Sequence, residues 1–406
     1  MVLEKLSERK VIRDPIHGYI NIEYKVVWEA IDSKEFQRLR RIKQLGGDFQ
    51  VYPSAEHTRF THSLGVYEIV RRMVTEIASL SEELSEKDKV AVMLAGLLHD
   101  VGHGPFSHSF EQVIGFNHED YTAKIILGDT ELNKILLKVS RTLPKEVVNI
   151  IQHKHTNDLL NQIVSAQLDA DRMDYLLRDA YYSATSYGNF DLERILRTLR
   201  VREHEDGKKY LVIKESGIHS VEDYIMARYQ MYWQVYYHPV ARAYETVFIK
   251  FFNRLKDIYK ENKNYFEDLP YLLPFFEKSE VSEEEYFRLD EAAMQYYWSL
   301  IENKEDKIAA DLASRLLNRD LFEYVDYSEE KLEKLQQELI DKGYDPKYYL
   351  RKESIAASTY SPFTGQNILI IRKDGTILEL EKASTIVNSI TKGEIKKEGT
   401  IFFPKI

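Results

Sequence analysis

The sequence of 406 residues contains no cysteine, which excludes disulfides, thiolate zinc sites and cysteine nucleophiles. Any metal ion must therefore be bound by histidine, carboxylate or water. Basic residues are also in the minority, since 56 Lys and Arg against 66 Asp and Glu give a net charge of -10. This balance argues against a general nucleic-acid-binding surface, although a local basic pocket for one nucleotide remains compatible with it.

Long apolar runs are missing too. The longest uninterrupted apolar run, residues 90–98, is far shorter than the ~20 residues that a helix needs to cross a bilayer. The first residues, MVLEKLSERK, lack the apolar stretch of a secretory signal. We therefore expect no membrane contact and a cytoplasmic location.

What the sequence does contain is typical of a globular protein, with 44% hydrophobic and 30% charged residues. Its length favours one large helical domain with a smaller appendage. Periodicity predicts a hairpin in residues 11–23, amphipathic helices over 36–45 and 62–77, a buried helix over 90–98 and a helix over about 164–182. Further hairpins are predicted around Asp206-Gly207 and Asp374-Gly375, and a last strand over 400–403.

The polar groups best suited to chemistry lie in LLHDVGHGPFSH, where His99 and Asp100 end the predicted buried helix and His103 follows. Taken singly, each is more typical of a core or capping residue. Elsewhere His62, His118 and three aspartates, namely Asp169, Asp171 and Asp174, add further nitrogen and oxygen groups. Such a set suits a divalent cation or iron.

The order H…HD…D, at His62, His99-Asp100 and Asp171, resembles the HD-domain metal-dependent phosphohydrolases. The motifs FQRLRRIKQLGG, HTRFTHSLGV, LLHDVGHGPFSH and DADRMDYLLRD are similar to those of the HD-domain dNTP triphosphohydrolases. That family comprises bacterial enzymes and the catalytic core of the human SAM-and-HD-domain enzyme. The resemblance covers about residues 10–250.

The resemblance implies a mainly α protein, with an HD-domain helical core, short β-hairpins and a small C-terminal α/β lobe. We expect residues 1–50 to form the N-terminal hairpin and first helix, as part of the catalytic core. Residues 51–250 would form the HD phosphohydrolase core, 251–342 a helical extension and 343–406 the small C-terminal lobe.

For the metal, the resemblance implies one divalent ion (Mn, Mg, Fe, Ni or Zn) bound by His62, His99, Asp100 and Asp171. Asp169 is a nearby competitor, but the pattern DxDxxDYxxRD favours Asp171 and leaves Asp169 as support for the ligands. Helical spacing puts Asp171, Tyr175 and either Arg178 or Asp179 on one face.

For the substrate, the resemblance implies that Arg59, Arg172 and Tyr175 contact a triphosphate and that Asp179 accepts the sugar 3'-hydroxyl. The family often has lysine where Arg172 stands, and arginine keeps the charge with a different geometry. Gln44 and Leu45 match positions that line the sugar and base.

Further along, the aromatic stripe of RYQMYWQVYYHP is by itself typical of a core or an interface. By resemblance, Arg228 contacts phosphate and Tyr236 packs on the deoxyribose, where a 2'-hydroxyl would clash. Tyr232 departs from the relative, which has histidine there, so its contact is open.

The implied reaction is hydrolysis of a deoxynucleoside triphosphate at the α-phosphorus, which gives a deoxynucleoside and tripolyphosphate. His103 would protonate the 5'-oxygen, with Glu111 or His118 orienting it. Two alternatives remain: a phosphatase or phosphodiesterase acting on another nucleotide, and a non-catalytic nucleotide-sensing scaffold.

Regulation is also implied, by dGTP or another dNTP bound between subunits of a homo-oligomer, either a tetramer or a dimer. The residues that match the regulatory site are Lys10, Val11, Asp14, Asp32, Gln37 and Arg40. Without the resemblance, Asp32 would be assigned as a helix cap and Gln37 and Arg40 as solvated residues.

Overall fold

The computed structural model describes residues 3–204, 206–278, 280–355, 367–392 and 398–406. In these ranges the protein is mainly α-helical, as predicted. None of the helices described is long and apolar enough to span a bilayer.

The helices of the first half of the chain are α1 (Lys25–Asp32), α2 (Lys34–Arg38), α3 (Arg59–Glu76), α4 (Ala78–Ser81), α5 (Glu86–Leu98), α6 (Ser107–Ile114), α7 (His118–Leu127), α8 (Glu131–Val139), α9 (Leu143–Ile151), α10 (Asp158–Val164), α11 (Ala170–Tyr182) and α12 (Leu192–Thr198). Those of the second half are α13 (Ile218–Met231), α14 (Pro239–Glu261), α15 (Pro274–Glu277), α16 (Glu283–Phe287), α17 (Glu291–Ile301), α18 (Lys307–Asn318), α19 (Glu329–Asp341), α20 (Pro346–Tyr349), α21 (Leu380–Ala383) and α22 (Thr385–Lys392).

The strands are β1 (Lys5–Asp14), β2 (Gly18–Tyr24), β3 (Leu199–Glu203), β4 (Lys209–Lys214), β5 (Glu323–Asp326), β6 (Arg351–Ile355), β7 (Leu369–Ile371), β8 (Ile377–Glu379) and β9 (Glu398–Phe403). They form a two-stranded sheet β1-β2, a four-stranded sheet β3-β4-β7-β8 and a three-stranded sheet β5-β9-β6. The contact between β4 and β7 is parallel and the other pairings are antiparallel.

All three predicted hairpins are confirmed: β1-β2, β3-β4 and β7-β8. At the first turn Asp14 accepts hydrogen bonds from the backbone N–H of Ile16 and of His17, both at 2.9 Å. Gly18 adopts a φ of +72°, which glycine tolerates because it has no Cβ.

The strands of residues 343–406 are divided between two sheets. β7 and β8 extend the β3-β4 hairpin, whereas β6 and β9 pair with β5. The predicted C-terminal lobe therefore has no sheet of its own among the described residues, and residues 356–366 and 393–397 lie outside the described part. Long-range strand pairing decides this arrangement, and a local pattern of hydrophobicity carries no information about it.

The interior contains two hydrophobic cores. The first packs around α3, α5, α9, α10 and α11 and is largely aliphatic, while the second packs around α14, α17 and α18 and is rich in phenylalanine, tyrosine and tryptophan. Val101 belongs to the first core and Phe106 to the second. The segment between these two residues, which contains His103, therefore crosses from one core to the other.

The helix α5 is buried along residues 90–98, which confirms the buried helix predicted there. Ser85 caps its N-terminus in a capping box with Asp88, an arrangement that satisfies free N–H groups of the first turn. Its other end is followed directly by His99 and Asp100.

The helix predicted over residues 36–45 is wrong in its second half. The α-helix ends at Arg38, a 3-10 turn follows over Leu39–Arg41, and the next residues are extended. There Arg59 N–H donates to Ile42 O at 2.9 Å and Gln44 N–H donates to His57 O at 3.0 Å. This tertiary pairing overrides the helical periodicity.

The helix predicted over about residues 164–182 is confirmed from Ala170 to Tyr182, but it begins six residues later than predicted. α10 ends at Val164 and α11 begins at Ala170. Asp169 caps α11, because its carboxylate accepts from the backbone N–H of Arg172 and of Ala166, both at 2.7 Å. A buried cap of this kind fixes the start of the helix.

Candidate active site

Three helix ends bring the predicted metal ligands together. His62 lies in the first turns of α3, His99 and Asp100 follow α5, and Asp171 lies in the first turn of α11. One ligand atom each of His62, His99 and Asp100 lie within 4.8 Å of one another. Asp171 Oδ1 lies 3.0 Å from His62 Nε2 and 3.5 Å from His99 Nε2.

The chemistry of this set is suited to a divalent cation. His99 donates from Nδ1 to Gly96 O at 2.9 Å, while its buried Nε2 has no hydrogen-bond partner among the described residues. A neutral imidazole in this tautomer presents a lone pair on Nε2. Although burial favours the neutral acid, Arg59 and the neighbouring imidazoles hold the pKa of Asp100 well below its usual range. Two imidazoles and two carboxylates therefore converge as donors.

A buried network orients His62. His62 Nδ1 hydrogen-bonds Asp174 Oδ2 at 2.8 Å, and Asp174 Oδ1 also contacts His17 Nε2 at 2.7 Å. Arg178 pairs with Asp174 and with Asp14. Burial alone would lower the pKa of His62, but the hydrogen bonds to Asp171 and Asp174 raise it to about 10. Such partners of metal-binding histidines fix ring orientation and basicity.

Gly65 on α3 makes room for this network. A Cβ at this position would lie 1.9 Å from Asp174 Oδ1 and 2.4 Å from Arg178 Nη2. Since real Cβ atoms do not approach other atoms so closely, no other residue leaves space for the carboxylate and the guanidinium here. The glycine of HTRFTHSLGV is therefore a packing requirement of His62 and its partners.

Asp169 has a different task from Asp171. Its carboxylate caps α11 and also pairs with the guanidinium of Arg172. Asp169 is fully buried, and burial raises its pKa, although Arg172 acts to lower it. In this structure Asp169 supports the helix that carries Asp171. Among the described residues it has no hydrogen bond to any of the four predicted metal ligands.

His103 lies beside the ligands, with Nε2 3.3 Å from Asp100 Oδ1. Its ring stacks on that of His118, with centroids 3.8 Å apart and an interplanar angle of 17°. Glu111 was one of two candidates to orient His103, but it hydrogen-bonds His118 Nδ1 at 2.5 Å and lies 3.8 Å from His103 Nδ1. The contact of His103 with this pair is therefore ring stacking on His118, and Glu111 acts on His118.

Lowered pKa values make His103 and Glu111, two members of this cluster, differ in charge. Burial, followed by the nearby Arg59, holds the pKa of His103 well below its usual range. Burial favours the neutral form of Glu111, but hydrogen bonds from His108 and His118 hold the pKa of its carboxyl group well below the ordinary value. At neutral pH the cluster thus consists of an ionised carboxylate with histidines stacked beside it.

One face of α11 runs from the candidate metal centre to a second polar group. Asp171, Tyr175 and Asp179 recur every four residues, so they share that face and span about 12 Å of helix. Asp179 accepts from Tyr236 OH at 2.9 Å and contacts His57 Nε2 at 2.8 Å. The rings of Tyr175 and Tyr236 meet edge to face, with centroids 6.1 Å apart.

Tyr236 lies in a π-helical turn, Tyr232–Tyr236, that follows α13. Such turns insert one extra residue per helical turn and are frequent at functional sites. The π-turn is the local reason that Tyr236 reaches Asp179, while Tyr232 stacks on Tyr237 with centroids 4.3 Å apart. Tyr232 thus contacts another tyrosine among the described residues.

The predicted phosphate-contacting cations surround the same face. Burial raises the pKa of Tyr175 to about 12, although Arg172 and Arg228 nearby act to lower it. Arg228 Nη1 donates to Gln167 Oε1 at 2.8 Å. Arg59 pairs with Asp100 and donates to Ser107 Oγ from Nε at 3.1 Å and from Nη2 at 2.8 Å.

Gln44 and Leu45 lie on the extended segment that pairs with the residues before α3. Leu45 is buried, and Gln44 Oε1 is buried without a hydrogen-bond partner among the described residues. An unpartnered buried acceptor is uncommon in a folded protein, and it leaves Gln44 able to accept a hydrogen bond from a ligand.

The six residues predicted for regulation differ in how exposed they are. Lys10, Val11, Asp32 and Arg40 are exposed, and Gln37 is half-buried. Asp14, by contrast, is only 4% exposed, because its carboxylate closes the β1-β2 turn and pairs with Arg178.

The alternative assignment of Asp32 as a helix cap is wrong. Ser33 caps α2, and Asp32 is the last residue of α1. Gln37 is not simply solvated, since it donates to Ile31 O and accepts from Arg40 Nε, both at 2.8 Å.

Sequence reasoning assigned no supporting role to several residues that hold the site. Asp174 and Arg178 were named in the motif DADRMDYLLRD, where their four-residue spacing was the available signal for a pair. His57 and Ser107 lie in two of the other quoted motifs and His17 lies outside them, but no spacing signal links these residues to their partners. Glu291, which binds the turn after His103, is more distant still.

Comparison with known families and proteins gives consistent matches. Residues 59–179 match the HD domain and residues 190–269 match the HD associated region. The uncharacterized protein YwfO of Bacillus subtilis is 45% identical over 411 residues, which covers 99% of this chain and 93% of that protein. The deoxynucleoside triphosphate triphosphohydrolase SAMHD1 of Homo sapiens is 31% identical over 285 residues, which covers 61% of this chain and 45% of that protein. The chain thus spans about half the length of the SAMHD1 protein.

Solved structures agree over the full length. The crystal structure of a phosphohydrolase from Bacteroides thetaiotaomicron, 31% identical, covers 98% of this chain and 100% of its own chain with a TM-score of 0.83. That of a hypothetical protein from Aquifex aeolicus, also 31% identical, has a TM-score of 0.75. Because the Bacillus and Bacteroides proteins match nearly the whole chain, and the HD domain includes all four predicted ligands, the chain belongs to the HD-domain phosphohydrolase family and is a metal-dependent hydrolase.

Proposed function

We propose that this protein hydrolyses deoxynucleoside triphosphates to deoxynucleosides and tripolyphosphate. The observation that carries the proposal is the face of α11, with a candidate metal ligand at Asp171, an aromatic residue at Tyr175 and a hydrogen-bonded carboxylate at Asp179. Asp179 would bind the sugar 3'-hydroxyl, while Arg172 and Arg228, which flank Tyr175, would bind phosphates. The similarity to SAMHD1 supports the same substrate class.

His62, His99, Asp100 and Asp171 would hold the divalent cation. When bound, such an ion supplies Lewis-acid activation of water and neutralises charge on the phosphoryl oxygens. The protein's own side chains would orient the triphosphate: Arg59, hydrogen-bonded to Ser107, and Arg172 would stabilise the charge on its phosphoryl oxygens while the 5'-oxygen leaves.

Proton delivery falls to His103, stacked on the Glu111-His118 pair. Water oxygen adds to the α-phosphorus, the bond to the 5'-oxygen breaks, and His103 supplies the proton that this oxygen needs. His103 is neutral near pH 7 because burial and Arg59 lower its pKa. The negative charge of an arriving triphosphate would raise that pKa, which favours the protonated form that a general acid needs.

The test is to incubate the pure protein with each dNTP and each of Mn, Mg, Fe, Ni and Zn salts and to separate the products chromatographically. The expected products are the deoxynucleoside and tripolyphosphate. Release of pyrophosphate or of single phosphates would reassign the protein to a different phosphoester hydrolysis, and binding without turnover would make it a nucleotide sensor.

Sugar discrimination should depend on Tyr236. Its hydroxyl donates to Asp179, which fixes the ring beside the carboxylate proposed to bind the sugar, where the ring would exclude a 2'-hydroxyl. We expect kcat/KM for dGTP to exceed that for GTP, and the difference to shrink in Tyr236→Ala. Equal kcat/KM for the two nucleotides in the parent protein would contradict a deoxynucleotide enzyme.

We also propose regulation by dGTP or another dNTP, bound between subunits of a homotetramer or dimer. Lys10, Val11, Asp32, Gln37 and Arg40 lie at or near the surface, where a second subunit could meet them, whereas Asp14 would act through Arg178. An effector stabilises one assembly only through different affinity for its two states.

Adding dGTP should therefore raise the hydrolysis of another dNTP, and the increase should vanish in Asp32→Ala with metal content unchanged. Normal activation in Asp32→Ala would reject this site. Inhibition by dGTP in the parent protein would instead indicate competition at the catalytic pocket.

A further inference from the structure

The turn between His103 and α6 is held in an uncommon backbone conformation. Phe106 and Ser107 have φ values of +56° and +48°, both in the left-handed region that residues other than glycine rarely adopt. Two such residues in succession persist only where the surroundings hold them, and they concentrate at functional sites.

This turn sets the position of a predicted substrate-binding arginine. Ser107 Oγ accepts two hydrogen bonds from the Arg59 guanidinium, at 3.1 and 2.8 Å. The same guanidinium pairs with Asp100. A shift of Ser107 would therefore move Arg59 relative to the candidate metal ligands.

A carboxylate from the helical extension holds the turn. Glu291, the first residue of α17, accepts through Oε1 from Phe106 N–H at 3.1 Å and from Lys43 N–H at 3.0 Å. Lys43 forms a bridge with Thr58, the residue that precedes Arg59. One oxygen atom therefore ties together the two segments that carry Ser107 and Arg59.

The same helix holds the side chain of the turn. Trp298 on α17 packs against Phe106 with ring centroids 5.3 Å apart, and Phe248 on α14 packs at 4.9 Å. Glu291 is 4% exposed. Burial raises its pKa to about 7, which is consistent with an acceptor held mainly by backbone N–H groups.

Three more hydrogen bonds join this region to the backbone around His103. Arg38 donates to His103 O at 2.7 Å and to Leu289 O at 3.1 Å, and Tyr286 OH donates to Gly102 O at 2.7 Å. Residues 286–291 therefore contact the segment that crosses between the two cores at several points.

We propose that Glu291 is a positioning residue of the active site, which holds the Phe106-Ser107 turn so that Ser107 presents Arg59 to the phosphate. Glu291 lies outside both segments that match the HD domain and the HD associated region. It acts as a hydrogen-bond acceptor, so its charge is not required. The kinetic part of its test rests on the proposed function, and the structural part does not.

The test compares Glu291→Ala, Glu291→Gln and Glu291→Asp with Gln295→Ala, a control at an exposed position on α17. Glu291→Ala should lower kcat by about 10- to 100-fold, because small displacements of positioning groups cost this much, with metal content unchanged. Glutamine keeps an acceptor oxygen and should restore kcat to within about threefold of the parent. Glu291→Asp, one methylene shorter, should fall in between.

Amide hydrogen exchange gives a readout that needs no substrate. In Glu291→Ala the peptide covering residues 103–110 should exchange faster than in the parent, and in Glu291→Gln it should not. If Glu291→Ala does not fold, the contrast between Glu291→Gln and Glu291→Asp decides in its place.

The proposal is overturned by parental kcat and exchange in Glu291→Ala or, where that variant does not fold, in Glu291→Asp. It is also overturned if Glu291→Gln is as impaired as Glu291→Ala, which would make charge the essential property. If the parent protein hydrolyses no dNTP, the proposed function fails, while the exchange experiment still decides the role of Glu291.

Discussion

The two histidines among the predicted metal ligands differ from His103 in what holds their Nδ1 atom. On the ligand side (His62, His99, Asp100 and Asp171), His62 Nδ1 binds Asp174 and His99 Nδ1 binds Gly96 O. On the proton side (His103, His108, Glu111 and His118), His103 Nδ1 is buried without a hydrogen-bond partner among the described residues. His108, on the same side, is 76% exposed.

This difference indicates a division of work. A ring whose Nδ1 is fixed keeps one orientation, so its Nε2 would face a cation that replaces the Nε2 proton. A ring held by stacking can change its protonation state without breaking a hydrogen bond. The ligand side therefore suits the binding of a cation, and His103 suits the proton transfer proposed above.

Removing a ligand should have the largest effect. Asp171→Ala should abolish turnover and reduce the metal content of the purified protein, because one of four donors is lost. Metal analysis and product formation are measured on the same preparation. The matched change is Asp169→Ala, which should lower the melting temperature through loss of the α11 cap and keep the metal. Loss of metal and turnover in Asp169→Ala, with both retained in Asp171→Ala, would reverse the assignment.

A change on the proton side should separate chemistry from metal binding. His103→Ala should lower kcat by about 10²- to 10⁴-fold, the usual contribution of a general acid, while the metal content stays at the parental level. His219→Ala serves as the control, since His219 is 93% exposed on α13. A variant that loses its metal together with its activity would place His103 on the ligand side and break the comparison.

Weakening the side chain that supports His62 should have a smaller effect than removing a metal ligand. Asp174→Asn keeps the size of the side chain but weakens the acceptor for His62, and we expect metal affinity to fall by about 10- to 100-fold. Titration with a competing chelator measures this change. Unchanged affinity would mean that His62 needs no fixed tautomer.

A separate effect, on stability alone, should come from the pH dependence at Glu291. Its pKa is raised from 4.5 to about 7 in the folded protein by burial, so the folded state binds more protons than the unfolded state between these values. Stability therefore falls as pH rises from about 4.5 to about 7. Glu291→Gln removes this loss, so its unfolding free energy relative to the parent should increase by up to about 3 kcal/mol over that window.

Denaturant unfolding of parent and variant at pH 4.5 and pH 7.5 measures the difference. A difference between the two proteins that does not change with pH would show that folding does not raise the pKa of Glu291.

The sequence was sufficient for those parts of the site that repeat along one helix or stand next to each other. The spacing of Asp171, Tyr175 and Asp179 predicted a shared face, and the apolar run before His99 predicted a buried helix. The helix predicted over residues 36–45 failed because strand-like pairing with residues 57–59 opposes it, and that partner is invisible to a local pattern.

For the same reason, the sequence could not predict which distant residues support the site. His17 reaches Asp174 across 157 positions of the chain, and Glu291 reaches Phe106 across 185. Their side chains have no characteristic neighbours in the sequence. Asp14 was assigned to regulation by alignment, whereas its carboxylate is held by the β1-β2 turn and by Arg178.

Gly65 has a consequence for mutational tolerance. Because glycine has no functional group, replacements at its position would ordinarily be expected to be tolerated in a substitution scan. Alanine is even favoured over glycine within a helix by about 1 kcal/mol. At position 65 this preference should be inverted, since even a methyl group would displace Asp174 and Arg178 and so release His62. Gly65 should therefore tolerate fewer replacements than the half-buried Arg71 and Arg72 of the same helix, and any variant library that selects for activity should return glycine there.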